Sequence, residues 1–348
     1  MQKDRYKLTQ DILKKVAEID EFKGEWQRIT LLYPHDLEKL KKITTIESAG
    51  SSTRIEGSQM SDEDIEQFLQ GLKIQRFKDR DKQEVQGYKE LLDIVFDNFK
   101  DIVFSESAIK HFHKILLKYS EKDQRHLGEY KKHPNRVAAY DSKGNIAGII
   151  FETTPPYLTS KETQEAVERT VVWFNGLDKH VLLIIAEFIV DFLSIHPFQD
   201  GNGRLSRILT NFLLLQQGYE FVQYASLEKV IENNKKLYYL ALRISQKNRG
   251  KKEEDISEWI NFFLDTLVFL TRRIKKRVQA KAEKLTVAQK QQIIIDYVTE
   301  SKKITAKEVM KLLTITDRGA RKFLQRMVEQ GIVASAGGAD QERYYTLP

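Results

Sequence analysis

From residue 8 to about residue 120 apolar side chains recur at intervals of three and four, the spacing that gathers them on one face of an α-helix. Ile43, Ile46 and Ala49 keep that spacing up to the stretch SSTRIEG at 51–57, where Gly57 suits the left-handed residue that stops a helix. A restart is predicted at Ser61-Asp62-Glu63-Asp64, a serine cap with an acid three residues on. Helical spacing continues over 83–100 and 105–119. The texture changes at 128–158, where RVAAYDSKGNIAGIIF has a run on each side of the turn-forming tetrad SKGN. A β-hairpin follows from that pattern, with Pro155-Pro156 as its stop.

Helices resume at 160–176, 181–195, 204–217, 227–247 and 255–279. From 285 onward the pattern reads as helices at 286–300, 305–313 and 316–330, ended by Gly331, then short strands in IVAS and RYYTL around Gly337-Gly338. Three helices followed by a two-stranded wing outline a winged-helix module, a variant of helix-turn-helix. Its third helix carries Arg318, Arg321, Lys322 and Arg326, a composition suited to phosphates, so DNA is one partner class. Winged helices also serve as protein-contact modules, and both classes stay open. The expected fold is mainly α. It comprises an N-terminal helical region over 1–100, a core over 101–250, a helical linker over 251–284 and a small α+β winged-helix domain over 285–348.

Composition narrows the class. With 348 residues, 41% hydrophobic and 31% charged, and only six prolines, the chain has material for two or three folded domains of about 100–200 residues each. The absence of cysteine removes disulfides, thiolate metal sites and cysteine nucleophiles together, and suits a reducing compartment. The N-terminal stretch MQKDRYKLTQDILKK has no apolar run of signal-peptide type. The one strongly apolar run, 181–195, contains Glu187 and Asp191 and is too short to span about 30 Å of hydrocarbon. A cytoplasmic protein without a membrane partner is therefore expected. A net charge of +7 permits a polyanionic partner, but the excess crowds into 271–284, a solvated helix face or linker. Apolar faces on the N-terminal helices leave a homodimer open.

The chemistry is concentrated directly after the apolar run, in HPFQDGNGRLSR at 196–207. Pro197 disfavours a helical His196, so the helix should end there and hold the imidazole at the lip of a rigid element. Phe198 can anchor the loop. Gly201-Asn202-Gly203 can point backbone N–H groups inward at the start of the next helix, an anion-binding nest joined to a positive helix end. Arg204 and Arg207 lie three apart, neighbours on that helix, able to hold two successive phosphates. Asp200 is a hard oxygen ligand for the Mg²⁺ that escorts a nucleotide. His196 is the group here able to act as a general base near neutral pH. With a polyphosphate bound, these residues point to attack of a hydroxyl on phosphorus.

At this point HPFQDGNGRLSR resembles, without a mismatch, the signature of the Fic-domain family, and GEYKKHPNRVAAYDSKGNIAGIIFETTPP resembles the family's flap, here about 135–152. The resemblance covers roughly 40–250. It implies a protein adenylyltransferase that moves AMP from ATP to a Ser, Thr or Tyr hydroxyl of a target, or of itself. His196 would be the base, Asp200 the Mg²⁺ ligand, Gly201, Asn202 and Gly203 the anion hole, and Arg204 and Arg207 phosphate contacts. Tyr238 and Tyr239 lie where the family often places contacts to adenine. The flap would hold the target segment by strand addition. SSTRIEG matches the family's inhibitory pattern, with Ser52, Glu56 and Gly57 in place, and implies that Glu56 pairs with Arg207 and withdraws it from the γ-phosphate. Two further readings stay open at this point: a DNA-binding regulator whose Fic fold senses nucleotide, and an AMP-removing or bifunctional enzyme.

Overall fold

The computed structural model describes residues 5–348 apart from 33, 72–78, 141–145, 177–178, 285, 314 and 338–342. The helices are α1 (Gln10–Leu32), α2 (Pro34–Ile55), α3 (Asp62–Leu69), α4 (Asp79–Asn98) and α5 (Glu106–Leu116). Strands β1 (Arg136–Tyr140) and β2 (Ile146–Glu152) follow, then α6 (Pro156–Asn175), α7 (Val181–Ile195), α8 (Asn202–Gln216), α9 (Leu227–Asn233), α10 (Lys235–Gln246) and α11 (Ser257–Lys284). The C-terminal elements are α12 (Val287–Ser301), β3 (Ile304–Thr305), α13 (Ala306–Leu313), α14 (Asp317–Glu329), β4 (Ala334–Ala336) and β5 (Tyr344–Thr346). Two units are distinguished: one holds the chain up to Asp20 and Leu40–Leu270, the other Glu21–Lys39 and the chain from Thr271.

The first unit is built around α7. Leu182 to Ile195 are all buried, as an apolar helix of this length requires. Its two acids are tolerated because each is met by cations: Glu187 by Lys179 at 2.8 Å and Arg5 at 3.2 Å, Asp191 by Arg5 at 2.6 Å and by Arg169. Aromatic side chains fill the space between α7, α8 and α5. Phe104 meets Phe188 edge-on at 5.0 Å, and Phe112 meets Phe212 at 5.3 Å. α3 opens with the expected reciprocal cap between Ser61 and Asp64.

Several boundaries differ from expectation. Pro155-Pro156, read as a stop, opens α6 instead: Pro155 is its N-cap and Pro156 its first residue, where a missing N–H is harmless. The helix expected at 227–247 is two, because Asn234 caps α9 and begins α10. Residues 251–284, expected as a linker, include α11, whose first half is core: Trp259, Ile260, Phe263 and Leu264 are buried, and the Trp259 indole N–H donates to the Ala186 carbonyl at 2.8 Å. β1 and β2 pair antiparallel, Arg136 opposite Glu152 and Tyr140 opposite Ile146, with register shifts at two points. The SKGN turn lies outside the described residues.

In the second unit α12, α13 and α14 pack Ile294, Val298, Val309, Leu312, Leu324 and Met327 into one core. Its sheet has three strands, in the order β3-β5-β4, rather than the two expected. The added strand is the two-residue segment Ile304–Thr305, too short to carry an alternating pattern. Gly337 stands at φ 89, between β4 and the undescribed residues that begin at 338. Among the described residues, no helix is long and apolar enough to cross a membrane.

Candidate active site

The end of α7 and the start of α8 make the site. α7 stops at Ile195, and His196 takes a left-handed conformation, φ 52 and ψ 62, its N–H donating to the Phe192 carbonyl at 2.9 Å. Its ring Nδ1 lies 3.3 Å from the Leu193 carbonyl. A carbonyl only accepts, so Nδ1 carries the proton and Nε2 presents its lone pair. Burial pushes the imidazole down to about 4, against the Leu193 carbonyl, Glu56 and Asp200, which favour the cation. The group is therefore a neutral base at physiological pH.

The loop that follows is stapled internally. Phe198 is fully buried and stacks on His113 at 3.9 Å. The Asn202 amide accepts from the Phe198 N–H at 2.9 Å and donates to the Phe198 carbonyl at 2.7 Å. The Asn202 side chain thus holds the loop rather than facing the nest, and its contribution there is its backbone N–H. Gly201, at φ 79, takes a turn conformation that a side chain would disfavour. It caps α8 without any side-chain bond, so the N–H groups of the first turn start the helix unmet, as an anion site needs. Gly203 matters for space: a Cβ there would collide with Glu56 Oε1.

Both arginines are buried, each 2% exposed. Arg207 donates from Nε to Ser52 Oγ at 2.8 Å, and from Nη2 to the Ser52 carbonyl at 2.9 Å and Glu56 Oε1 at 2.8 Å. Arg204 meets Asp200 Oδ1 at 3.2 Å and Glu84 Oε2 at 3.4 Å. Among the described residues, Nη1 of Arg207 and Nε of Arg204 are buried without a hydrogen-bond acceptor, and Nη1 of Arg204 has the Glu84 carboxylate at 3.4 Å as an ion pair without hydrogen-bond geometry. Buried donors of this kind have room for an acceptor such as a phosphate oxygen. Burial works against charge on Glu56, but Arg207, with Arg204 and His196 behind it, holds the carboxyl below its usual range.

Asp200 is likewise held as a carboxylate: burial opposes this, and Arg204, the Gly201 N–H, Lys122 and Arg80 overcome it. Its Oδ1 accepts from the Gly201 N–H at 2.6 Å. Among the described residues no cluster of three or more His, Cys, Asp or Glu side chains is disposed to hold a metal. A single carboxylate, held by Arg204 and open to the loop, would suit a cation that brings further ligands with it.

The structure brings His196, Asp200, Gly201, Asn202, Gly203, Arg204, Arg207, Ser52 and Glu56 together, with Gly57 at φ 110 just after the end of α2. Tyr238 is 3% exposed and packs edge-on against Trp259 and Phe262, lining a cleft with Ser206, Arg207 and Thr210. Tyr239, edge-on to Tyr238 at 5.1 Å, keeps part of its ring open. Sequence reasoning missed four supporting groups. His113 bridges the Asp200 carbonyl, at 3.1 Å, and the Gly128 N–H, at 2.9 Å. Lys131 reaches the end of α7. Arg54, inside SSTRIEG, is bound by Glu232 at 2.6 Å and Asp62 at 2.8 Å and fixes the end of α2. Glu84 on α4 backs Arg204. Of these, Arg54 lies within the inhibitory stretch and Lys131 within the flap stretch singled out from the sequence, but neither was assigned a role there.

Residues 103–214 match the model of the Fic/DOC family. A probable protein adenylyltransferase of Aquifex aeolicus is 31% identical over 129 residues, 36% of this chain and 39% of that one. The match therefore spans well under half of that relative's length. The fold is similar to a Fic family protein of Desulfovibrio desulfuricans G20, with TM-score 0.64 and 20% identity over 99% of this chain and 98% of that one. It is also similar to a Fic domain containing signaling protein of Bacteroides thetaiotaomicron, with TM-score 0.61 and 21% identity over 73% of this chain and 94% of that one. Residues 103–214, the part that matches the Fic/DOC family, carry His113, Lys131, β1, β2 and the loop that begins at His196.

Proposed function

We propose that this chain is a protein adenylyltransferase restrained by its own Glu56. The observation that carries the reading is the convergence, on one open helix start, of a neutral imidazole and of two buried arginines with unmet donors. The name of the Aquifex aeolicus relative supports the same activity. In the reaction a Ser, Thr or Tyr hydroxyl oxygen bonds to the α-phosphorus of ATP while its proton passes to His196 Nε2. The bond from α-phosphorus to the pyrophosphate oxygen breaks, pyrophosphate leaves, and His196 returns its proton to water. The amides of the α8 start and the guanidinium groups stabilise the charge that develops on phosphate oxygens. Asp200 would hold the Mg²⁺ of the nucleotide, which neutralises charge on the phosphates.

Glu56 occupies Arg207 and the space that Gly203 leaves, and so withdraws the arginine that the terminal phosphate requires. Tyr239, with open ring surface, contacts the adenine, and Tyr238 shapes the cleft beneath it. A target segment adds as a strand beside β1 and β2, whose pairing supplies the edge. The test uses ATP labelled at the α-phosphate. Glu56→Gly should label protein, Glu56→Gly with His196→Ala should not, and transfer of label from the γ-position only would replace this reading by a kinase.

A second activity is favoured by one observation in the C-terminal unit. Arg318, Lys322 and Arg326 are exposed along α14, on the face opposite its buried Ala320, Leu324 and Met327. Duplex DNA is the partner this face fits.

A further inference from the structure

The base sits on a conformation that its surroundings have to hold. Residues other than glycine enter the left-handed region rarely, and His196 does so at the point where α7 runs out of partners for its carbonyls. Those carbonyls are bound from one direction. The Lys131 ammonium donates to the Ile195 carbonyl at 2.9 Å, the Lys131 N–H to the Pro197 carbonyl at 2.9 Å, and the Asn135 amide to the Phe198 carbonyl at 2.9 Å. The same ammonium donates to Asn135 Oδ1 and to Thr153 Oγ1, both at 2.8 Å. Asn135 immediately precedes β1 and Thr153 immediately follows β2. All three donors of the ammonium are therefore used, one on the helix end and one at each foot of the hairpin.

Lys131 is 3% exposed, and its hydrogen-bond acceptors are neutral. Burial brings it down to about 8, Glu162 supporting the charge and Arg249 opposing it, so it is still a cation at neutral pH. A buried cation carries a desolvation cost, and here it directs all three of its donors to acceptors at one helix end and at both feet of the hairpin. It is well explained by the geometry it fixes.

We propose that Lys131 is the positioning residue for His196: it ties the carbonyls on both sides of the base to the two feet of the β1–β2 hairpin, so that a hydroxyl presented along the hairpin and the base that deprotonates it share one frame. The rate consequence rests on the adenylyl-transfer reading; the placement of His196 does not.

The experiment has two arms on the full-length chain. In the first, histidine ring nitrogens are labelled with heavy nitrogen and read by NMR, His196 being assigned by its loss in His196→Ala. The unaltered chain should show one tautomer, protonated at Nδ1. Lys131→Met should give averaged ring shifts for His196 while His113, bonded to Gly128 and Asp200, keeps its own tautomer and reports an intact fold. Thr153→Val, which removes one anchor and no charge, should loosen His196 in the same direction, and it replaces Lys131→Met if that variant does not fold. In the second arm, in a Glu56→Gly background, Lys131→Met should lower AMP transfer about tenfold or more with ATP affinity within about twofold. Lys131→Arg should recover part of the rate. A single unchanged tautomer in Lys131→Met or Thr153→Val overturns the proposal, as does an unchanged rate. If Glu56→Gly transfers no AMP at all, the adenylyl-transfer reading fails and the NMR arm alone decides the role of Lys131.

Discussion

Removing Glu56 should tighten nucleotide binding, and the structure sets the size of the effect. Arg207 is 2% exposed and Glu56 34% exposed, with 2.8 Å between Nη2 and Oε1. A charge-assisted hydrogen bond contributes about 1.5–3 kcal/mol, and the open side of Glu56 reduces this through solvent screening to about 1–2 kcal/mol. ATP must displace that pair to reach Arg207, so its affinity should rise about 5–30-fold when the carboxylate is gone. Calorimetric titration of MgATP into His196→Ala and into His196→Ala with Glu56→Gly isolates binding from turnover. Glu56→Gln, which keeps a neutral acceptor, should fall between them. AMP, which has no γ-phosphate, should bind both equally. If the two ATP affinities agree within about twofold, or if AMP gains as much as ATP, the carboxylate does not compete for the terminal phosphate and the reasoning is wrong.

Other expectations follow from the same geometry. Glu232→Ala removes the bonds at 2.6 and 3.2 Å that fix Arg54 and with it the end of α2; basal AMP transfer should rise a few-fold, less than in Glu56→Gly, as measured with α-labelled ATP. His113 is held neutral to about 4 by burial, against an ordinary value of 6.5. The unfolded chain takes up its proton first, so the stability this contributes is complete above about pH 6.5 and is lost as pH falls toward 4, on the order of 2–3 kcal/mol. Urea midpoints at about pH 7 and about pH 4.5 should show that loss, and His113→Gln should blunt it. Burial of His196 places the acid limb of the Glu56→Gly rate well below pH 6.5, and loss of the Glu56 charge, which favours the imidazolium, moves it lower still; a limb centred at 6.5 in the pH profile contradicts a buried base. Replacing Arg318 and Lys322 by Ala in the full chain should weaken duplex DNA binding and flatten its salt dependence, read by a mobility shift; an unchanged shift removes α14 as the contact.

Much of this was legible in the sequence because it is written in local terms. The apolar run at 181–195 sets α7, Pro197 sets its end, and the serine–acid pair at 61–64 sets the start of α3. Positions 196–207 were legible in part: Pro197 after His196, Gly201 at the turn and the two arginines three apart fall where the local pattern puts them, whereas the Asn202 side chain holds the loop instead. The supporting groups were not legible. Lys131 is the first of two adjacent lysines in a polar stretch, and nothing local says that its ammonium is buried between the feet of a hairpin and the end of a helix 64 positions on. His113 looks like one polar break in an amphipathic helix, and its stacking on Phe198 depends on the packing of α5 against α8. Boundaries failed where tertiary packing overrode local preference, as in α11, whose first half is held by Trp259 and its apolar neighbours rather than by its charge pattern.

The central claim is that the site transfers AMP and not a phosphoryl group. The direct measurement is the identity of the small product when Glu56→Gly is incubated with MgATP, followed by phosphorus NMR alongside the nucleotide content of the protein. Pyrophosphate should appear one for one with protein-bound AMP, and neither should form when His196 is also changed to Ala. ADP appearing one for one with protein-bound phosphate contradicts the claim.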